Sequence, residues 1–473
     1  MMRALPPLLL AAALSACAVG PDYRPPAPPA DTALGPQAGP GSEDIPARWW
    51  ELYGNPALDR LIEEALAHNA DLAAAQAALK VAHEASAANE GAFYPNLQGS
   101  FQASRQKDPT AAVQPTAANN APQVTLYTPQ LSISYGPDLW GGNRRAQESV
   151  EAQERAQSLQ AQATYSTLAA TMAVTAIAEA GLRRQIADTL RIIGLERDSL
   201  EILRRQLAAG QVSEQDVAGQ EAALAQAEQT LPPLTRQLDQ TRHQLTALLG
   251  RLPAEEPQER FELDALHLPD PLPAALPSRL VERRPDIRMA DAELQAASAQ
   301  IGVAIANRLP NVTLDGTLGS EATSLQSLFT PGTGLWSASA GLTQPLFDGF
   351  SLMHKERGAR AAYEQAAAQY RSTVIGAFQN VADCLAALST DDSLLTAARR
   401  SSTAAGRSFA IARKQLESGA IAPLAVMAAE QTALQADIAL AQAEAGRLTD
   451  SAALFQAVGG GWWNRPQGEG GDN

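Results

Sequence analysis

Few residues in this 473-residue chain stand at spacings that could do covalent chemistry. The histidines, His68, His83, His243, His267 and His354, are scattered with no metal-ligand spacing, so no metal site is assigned. Ser104-Arg105-Gln106-Lys107 is a Ser-x-x-Lys match at a strand end. It lacks the accompanying motifs of the enzymes that use it and reads as chance. Walker-type glycine loops are absent, so energy must come from a partner. No catalytic residue and no cofactor is assigned, and the chain does not read as an enzyme. Two thiols remain. Cys384 falls inside a helical pattern and reads as a small buried hydrophobe. Cys17 follows Leu14-Ser15-Ala16 at the end of a short apolar run, where its thiol is placed to be modified.

Met1 to Ala16 reads as a signal peptide, with Arg3 as its positive start and Leu8 to Leu14 as its apolar core. Leu14-Ser15-Ala16-Cys17 resembles the bacterial lipoprotein box. Small residues suit a narrow peptidase cleft, and the Cys17 thiol takes the diacylglycerol. Ala18, rather than aspartate, follows; by resemblance to known lipoproteins this favours outer-membrane sorting. Each buried methylene contributes about 0.8 kcal/mol, so several acyl chains hold the N-terminus in lipid. The alternative is a plain secretory peptide with an accidental cysteine. Residues 17–48, rich in proline and glycine, read as a lipidated, extended tether without a packed core.

Long helical hairpins dominate the rest. Ile186, Ile193, Leu200 and Leu207 recur every seventh residue, as do Val217, Leu224, Leu231, Leu238 and Leu245. This is a coiled-coil seam. A helix from Asn143 to Leu207 spans about 100 Å. The pattern occurs twice, about 208 residues apart, with Gly142 matched to Gly349 and Gly210 to Gly419. Shorter helices are expected from Asn55-Pro56 to His68, from Asp71 to Ala92, and from Pro285 to Asn307. Pro232-Pro233 inside the first returning helix predicts a break or kink near Leu231. The resulting division is a first repeat over 49–250, a Pro-rich connector over 251–277, a second repeat over 278–459 and a mobile tail over 460–473. Within the repeats the hairpins occupy 142–249 and 349–458.

Four segments change period from helix to strand. Leu97, Gly99, Phe101 and Ala103 alternate with Gln98, Ser100, Gln102 and Ser104. Similar alternation predicts strands at 97–105, 124–136, 311–319 and 336–344. No run of about eighteen apolar residues follows the signal, so no transmembrane helix is available. The remaining backbone solution in lipid is a closed β-barrel. Four strands are too few to close one, so several chains must pool them. Two copies give eight strands, a barrel filled by its own side chains; three give twelve and leave a lumen, which the inward set of Ser, Thr, Gln and Asp suits. Four soluble edge strands of a sandwich are the alternative. With charged residues at 18% and a net charge of −15, the balance argues against nucleic acid as a partner.

The chain resembles the TolC-like outer-membrane efflux factors, in the lipoprotein branch that includes OprM and NodT-type proteins. The resemblance runs from Trp49 to about Gly459. It rests on Trp49-Trp50 with Leu58-Asp59-Arg60-Leu61-Ile62, and on Glu282-Arg283-Arg284-Pro285-Asp286-Ile287-Arg288 with Ala299-Gln300-Ile301-Gly302-Val303-Ala304. Pro345-Leu346-Phe347-Asp348-Gly349 matches the strand-to-helix junction. The resemblance implies a mainly α fold with a small β part. In it a homotrimer forms a twelve-stranded outer-membrane barrel on a periplasmic α-helical tunnel. It also implies an exit duct for small molecules, with a periplasmic adaptor and an inner-membrane transporter as partners.

The resemblance further implies that the hairpin turns, Gly210-Gln211-Val212 and Gly419-Ala420-Ile421, form the periplasmic mouth on which the adaptor docks. Glycine at a helix end has its own structural reason. Carboxylates often line the constriction in this family, but here Ala425 and Ala428 stand at those positions. Leu424 matches an apolar constriction position; a heptad core residue is the alternative. Asp216 matches a position that holds the mouth shut, yet its expected partners read as Leu416 and Ile421. Apolar packing of Leu424 and Ile421 is therefore the expected closure. Two other functions stay open: a protein-secretion duct of the same architecture, and a non-conducting coiled-coil lipoprotein scaffold. With six Met and five His unclustered, metal-ion efflux has no support.

Overall fold

Strands and helices follow one another as α1 (Pro56–His68), α2 (Ala70–Glu90), β1 (Asn96–Lys107), β2 (Gln123–Tyr135), α3 (Gly142–Ala208), α4 (Glu214–Leu248), α5 (Pro285–Ala306), β3 (Asn311–Ser320), β4 (Gly334–Thr343), α6 (Ser351–Glu417) and α7 (Pro423–Ala457). The computed structural model describes residues 18–26, 45–107, 123–269 and 283–464. Two units divide it: residues 1–26, 79–156 and 290–370, and residues 27–78, 157–289 and 371–473. Among the described residues no helix is long and apolar enough to cross a membrane.

The repeat is metrically strict. α3 and α6 each have 67 residues, and α4 and α7 each have 35. Corresponding helices start at 142 and 351, and at 214 and 423, an offset of 209. Gly210 and Gly419 remain partners, but Gly142 pairs with Ser351, not with Gly349. Both turns close identically. Gly210 N donates to Leu207 O and Gln211 N to Gln206 O; Gly419 N donates to Leu416 O and Ala420 N to Gln415 O. This is the Schellman arrangement, which needs a left-handed residue. Gly210 and Gly419 have φ of 69° and 73°.

In the second unit the heptad faces lock the helices in the lateral order α4–α3–α7–α6. Arg197 reaches Glu228 and Arg204 reaches Glu221 between α3 and α4, at 2.6 and 2.7 Å. Gln431 donates to Glu196 between α7 and α3, at 2.7 Å. Ser402 donates to Asp437 between α6 and α7, at 2.6 Å. An aromatic cluster caps the core. Trp49 stacks on Phe455 with centroids 5.1 Å apart, and Tyr53 shares a hydrogen bond with Ser451 at 2.7 Å. Leu58, Ile62, Met172, Ile177, Leu245 and Leu249 are fully buried beside it. Each such side chain contributes about 1.5–3 kcal/mol through burial.

Several expectations change. α4 runs unbroken through Pro232-Pro233. The prolines and residues 228–230 before them are exposed, so water can serve the carbonyls that lose their donors. The glycine tail is packed as far as Asn464, whose Nδ2 donates to Ile45 O. Trp462 Nε1 donates to Arg283 O, and the guanidinium of Arg288 lies 5.3 Å from the Trp462 ring centre. Residues 278–282, which open the second repeat, lie outside the described residues, as do Cys17 and the signal segment.

Residues 18–26, expected to belong to an extended tether, are instead bonded to the fold. In the first unit Val19 N donates to Trp140 O, and Arg145, at the start of α3, donates to Val19 O and pairs with Asp22 at 2.7 Å. Tyr23 donates to Asp291 on α5. The strap fits because glycines line its path. A Cβ on Gly302 would meet Val19 O at 2.8 Å, and one on Gly141 would meet Ala18 Cα at 2.6 Å.

Candidate functional site

The four strands form one antiparallel sheet in the order β1-β2-β3-β4. Its register sorts the side chains by face. Leu97, Ile133, Gly316 and Ala338 form one row; Gly99, Leu131, Leu318 and Trp336 form the next. Alternate rows are polar: Gln98, Ser132, Thr317 and Ser337, then Ser134, Asp315 and Ser339. Ser134 donates to Asp315 at 2.8 Å, and Thr317 and Ser337 share a bond of 2.7 Å, so hydroxyls and carboxylate cross-link the polar face. The apolar face is bare: Trp336 is 78% and Leu97 64% exposed. A one-residue slip in any strand would mix the faces. A sheet this divided requires an apolar medium on one side and water on the other.

The outer edges of β1 and β4 have no strand partner among the described residues. At twelve and ten residues they are long for bare edges. β2 leads into a bonded junction. Trp140, before α3, donates from Nε1 to Pro310 O at the start of β3, at 2.7 Å. Its counterparts before α6, Leu346 and Phe347, are exposed.

At the other end of the hairpins stand the turns. Gly210, Gln211, Gly419 and Ala420 are exposed, while Val212 and Ile421 are half-buried. A Cβ on either glycine meets nothing within 4 Å, so the requirement there is backbone conformation alone. Asp216 is the third residue of α4 and forms a capping box: it accepts from Ser213 N and Oγ at 2.8 and 2.7 Å. The Ser213 hydroxyl and then its N–H hold the Asp216 carboxyl below the usual range. Within the chain it contacts neither Leu416 nor Ile421 by hydrogen bond. Leu424 is half-buried on the first turn of α7, and Ala425 and Ala428 are exposed.

Sequence reasoning passed over two further features. One is the glycine-lined seat of the strap, for which Gly302 inside a helix was the available signal. The other is a carboxyl pair between α6 and α7, Asp391 with Asp450. Burial, then the hydrogen bond and charge of Asp450, pushes Asp391 up to about 6. Cys384, half-buried on α6, has its thiol pushed up by burial. No group of residues that could hold a metal occurs among the described residues.

The family described as outer membrane efflux protein matches residues 61–251 and 276–460. The chain belongs to that family. Each matched stretch contains one of the two long hairpins, α3–α4 in the first and α6–α7 in the second. The pyoverdine export outer membrane protein OpmQ of Pseudomonas aeruginosa is 32% identical over 431 residues, 89% of each chain. Among solved structures the outer-membrane channel OprN superposes with a TM-score of 0.83 at 28% identity, over 94% of this chain and all of that one. The MtrE outer-membrane channel of Neisseria gonorrhoeae, in its open state, gives 0.82 at 26% identity, over 94% of this chain and 99% of that one.

This outer membrane efflux protein is therefore a TolC-like channel of the outer membrane, mainly helical with a small strand part, as expected. Its helices belong to the periplasmic part. The family is one of channels and not of enzymes.

Proposed function

We propose that three copies pool their strands into a twelve-stranded barrel and that the closed ring is the passive exit duct of a tripartite pump. What carries this reading is the register: four strands place every apolar row on one face and leave an unsatisfied edge at each side. Joining β4 of one copy to β1 of the next removes both edges and turns the hydroxyl face inward onto water. Relatives are named for export of pyoverdine, toluene and antibiotics, and small molecules of this kind are the proposed cargo. The wet face carries hydroxyls and amides with few charges, which suits conduction without selection; choice of cargo then lies with the transporter.

The proposed partners are a periplasmic adaptor docking on Gly210-Gln211-Val212 and Gly419-Ala420-Ile421, and an inner-membrane transporter behind it. Acyl chains on Cys17 would add a lipid anchor; the strap begins at Ala18 beside Gly141, at the junction of sheet and helix. The proposed domains remain the signal 1–16, a lipidated leader from Cys17, repeats 49–250 and 278–459 joined by 251–277, and the C-terminal tail. At the mouth, half-buried Leu424 and Ile421 are the proposed apolar seal, with Ala425 and Ala428 leaving the constriction uncharged. The local capping role of Asp216 supports this over a charge link. The reading is tested by reconstituting the purified protein in planar bilayers and measuring its mass in detergent. Three-chain particles with discrete conductance are expected; a single-chain, non-conducting particle would return the protein to the scaffold alternative.

A further inference from the structure

We propose that the basic face of α6 in one copy docks on the acidic face of α4 in the next, with Arg400 paired to the neighbour's Glu221. This rests on the shared-channel reading above, because it needs adjacent copies. α4 and α6 are the two flanking helices of the lateral order α4–α3–α7–α6, so among the described residues each has a side with no other long helix against it. Their charges are segregated. Residues 393–416 of α6 contain Arg399, Arg400, Arg407, Arg413 and Lys414 and no Asp or Glu. Residues 214–235 of α4 contain Glu214, Asp216, Glu221 and Glu228 and no Lys or Arg. Arg399 pairs with Glu444 of α7 at 3.5 Å; in a chain of net charge −15, the other four cations, with no ion pair among the described residues, call for a partner. Arg400, Arg407 and Ser408, with Thr403 and Ile411, line an open depression on α6. Arg400 and Arg407 are exposed, and neither makes an ion pair among the described residues.

The internal repeat supplies the register. The offset of 209 carries α3 onto α6 and α7 onto α4. The contact between α3 and α7 inside one chain is therefore the image of a contact between α6 and the next copy's α4. That internal contact contains an ion pair, Arg191 with Glu430 at 3.3 Å. Its image is Arg400 with Glu221, so the repeat has kept both residue types. The contact of Ser199 with Met427 at 3.2 Å has as its image Ser408 against Ala218. One heptad nearer the turn, Arg407 falls opposite Glu214. Glu221 already accepts Arg204 from α3 within its own chain. A carboxylate has capacity for two guanidinium groups, so Glu221 becomes the hinge of a triad, Arg204–Glu221–Arg400, across the seam. Such exposed charges fix partner and register more than they add stability.

The test uses full-length protein carrying Cys384→Ser, with Ser408→Cys and Ala218→Cys, treated with a short bis-maleimide. Covalent two- and three-chain species are expected. Ser408→Cys with Ala225→Cys, one heptad out of register, should give severalfold less. Charge is tested separately: Arg400→Glu should lower the temperature at which the oligomer dissociates, and the inverted triad Arg204→Glu, Glu221→Arg, Arg400→Glu should restore it. An intact oligomer in which the 408–218 bridge forms no better than 408–225 overturns this docking and leaves the shared channel standing. An oligomer bridged at 408–218 but insensitive to Arg400→Glu overturns the ion pair. A single-chain particle overturns the docking together with the channel reading.

Discussion

Arg242 of α4 donates from a guanidinium nitrogen to Oε1 of Glu179 on α3 at 2.5 Å, and the two side chains are 7% and 0% exposed. The same guanidinium reaches Glu256 and donates to Pro257 O, tying the connector to the hairpin. Burial raises the Glu179 pKa, and the Arg242 bond and charge act against it. Arg242→Met leaves Glu179 buried without its hydrogen-bonded counter-charge, with only the weaker influence of Arg183 remaining, and loss of about 3–5 kcal/mol is expected. Adding Glu179→Gln should recover much of it. Apparent melting temperatures of the two single variants and the double variant check this coupling.

The strap of residues 18–26 depends on Gly20 meeting Gly302. Gly20 has φ of 101°, and a Cβ there would stand 2.5 Å from Gly302 Cα. Gly20→Val should therefore unseat the strap. Amide exchange at Val19, now bonded to Trp140 O, should become fast, while exchange in α7 stays unchanged. Unaltered protection at Val19 would show that the strap is held without its glycine seat.

Asp391 and Asp450 make stability depend on pH. The folded pKa of Asp391 is raised, from 3.8 to about 6, so the folded protein binds the shared proton more tightly than the unfolded chain does. The contribution is complete below about pH 4 and is lost as pH rises through about 6. Arg447, on α7, opposes the shift and is itself paired with Asp392 at 2.8 Å. Asp450→Asn removes the repulsion. The variant should melt higher than the parent at pH 7.5, and the difference should shrink at pH 4.5. Parallel curves at both pH values would contradict the shared proton.

At the mouth, Leu424→Ser should raise the resting conductance of the reconstituted channel, because it places a hydroxyl where the seal is apolar. Asp216→Ala should leave conductance unchanged and only loosen the first turn of α4, since its bonds go to Ser213. The Asp216 pKa is depressed, so its capping contribution is present at neutral pH and fades as pH falls through its folded value. The reverse pattern, a leak with Asp216→Ala and none with Leu424→Ser, would assign closure to charge.

Local periodicity determined which segments are strands and which are helices. Alternation at Leu97, Gly99 and Phe101 and heptads at Ile186, Ile193 and Leu200 are properties of neighbouring residues, so they could be read without a fold. Strand ends came within two residues of their positions. The duplication was legible too, although its offset shifted because the two junctions differ in length before α3 and α6. Tertiary structure alone decided what depends on residues far apart in the chain. The strap is ordered because Gly302, nearly three hundred residues on, lacks a Cβ where Val19 passes. α4 survives Pro232-Pro233 because that stretch faces solvent. Asp391 is raised because packing buries it and α7 brings Asp450 against it. Burial and approach are set by packing, and no local pattern encodes them.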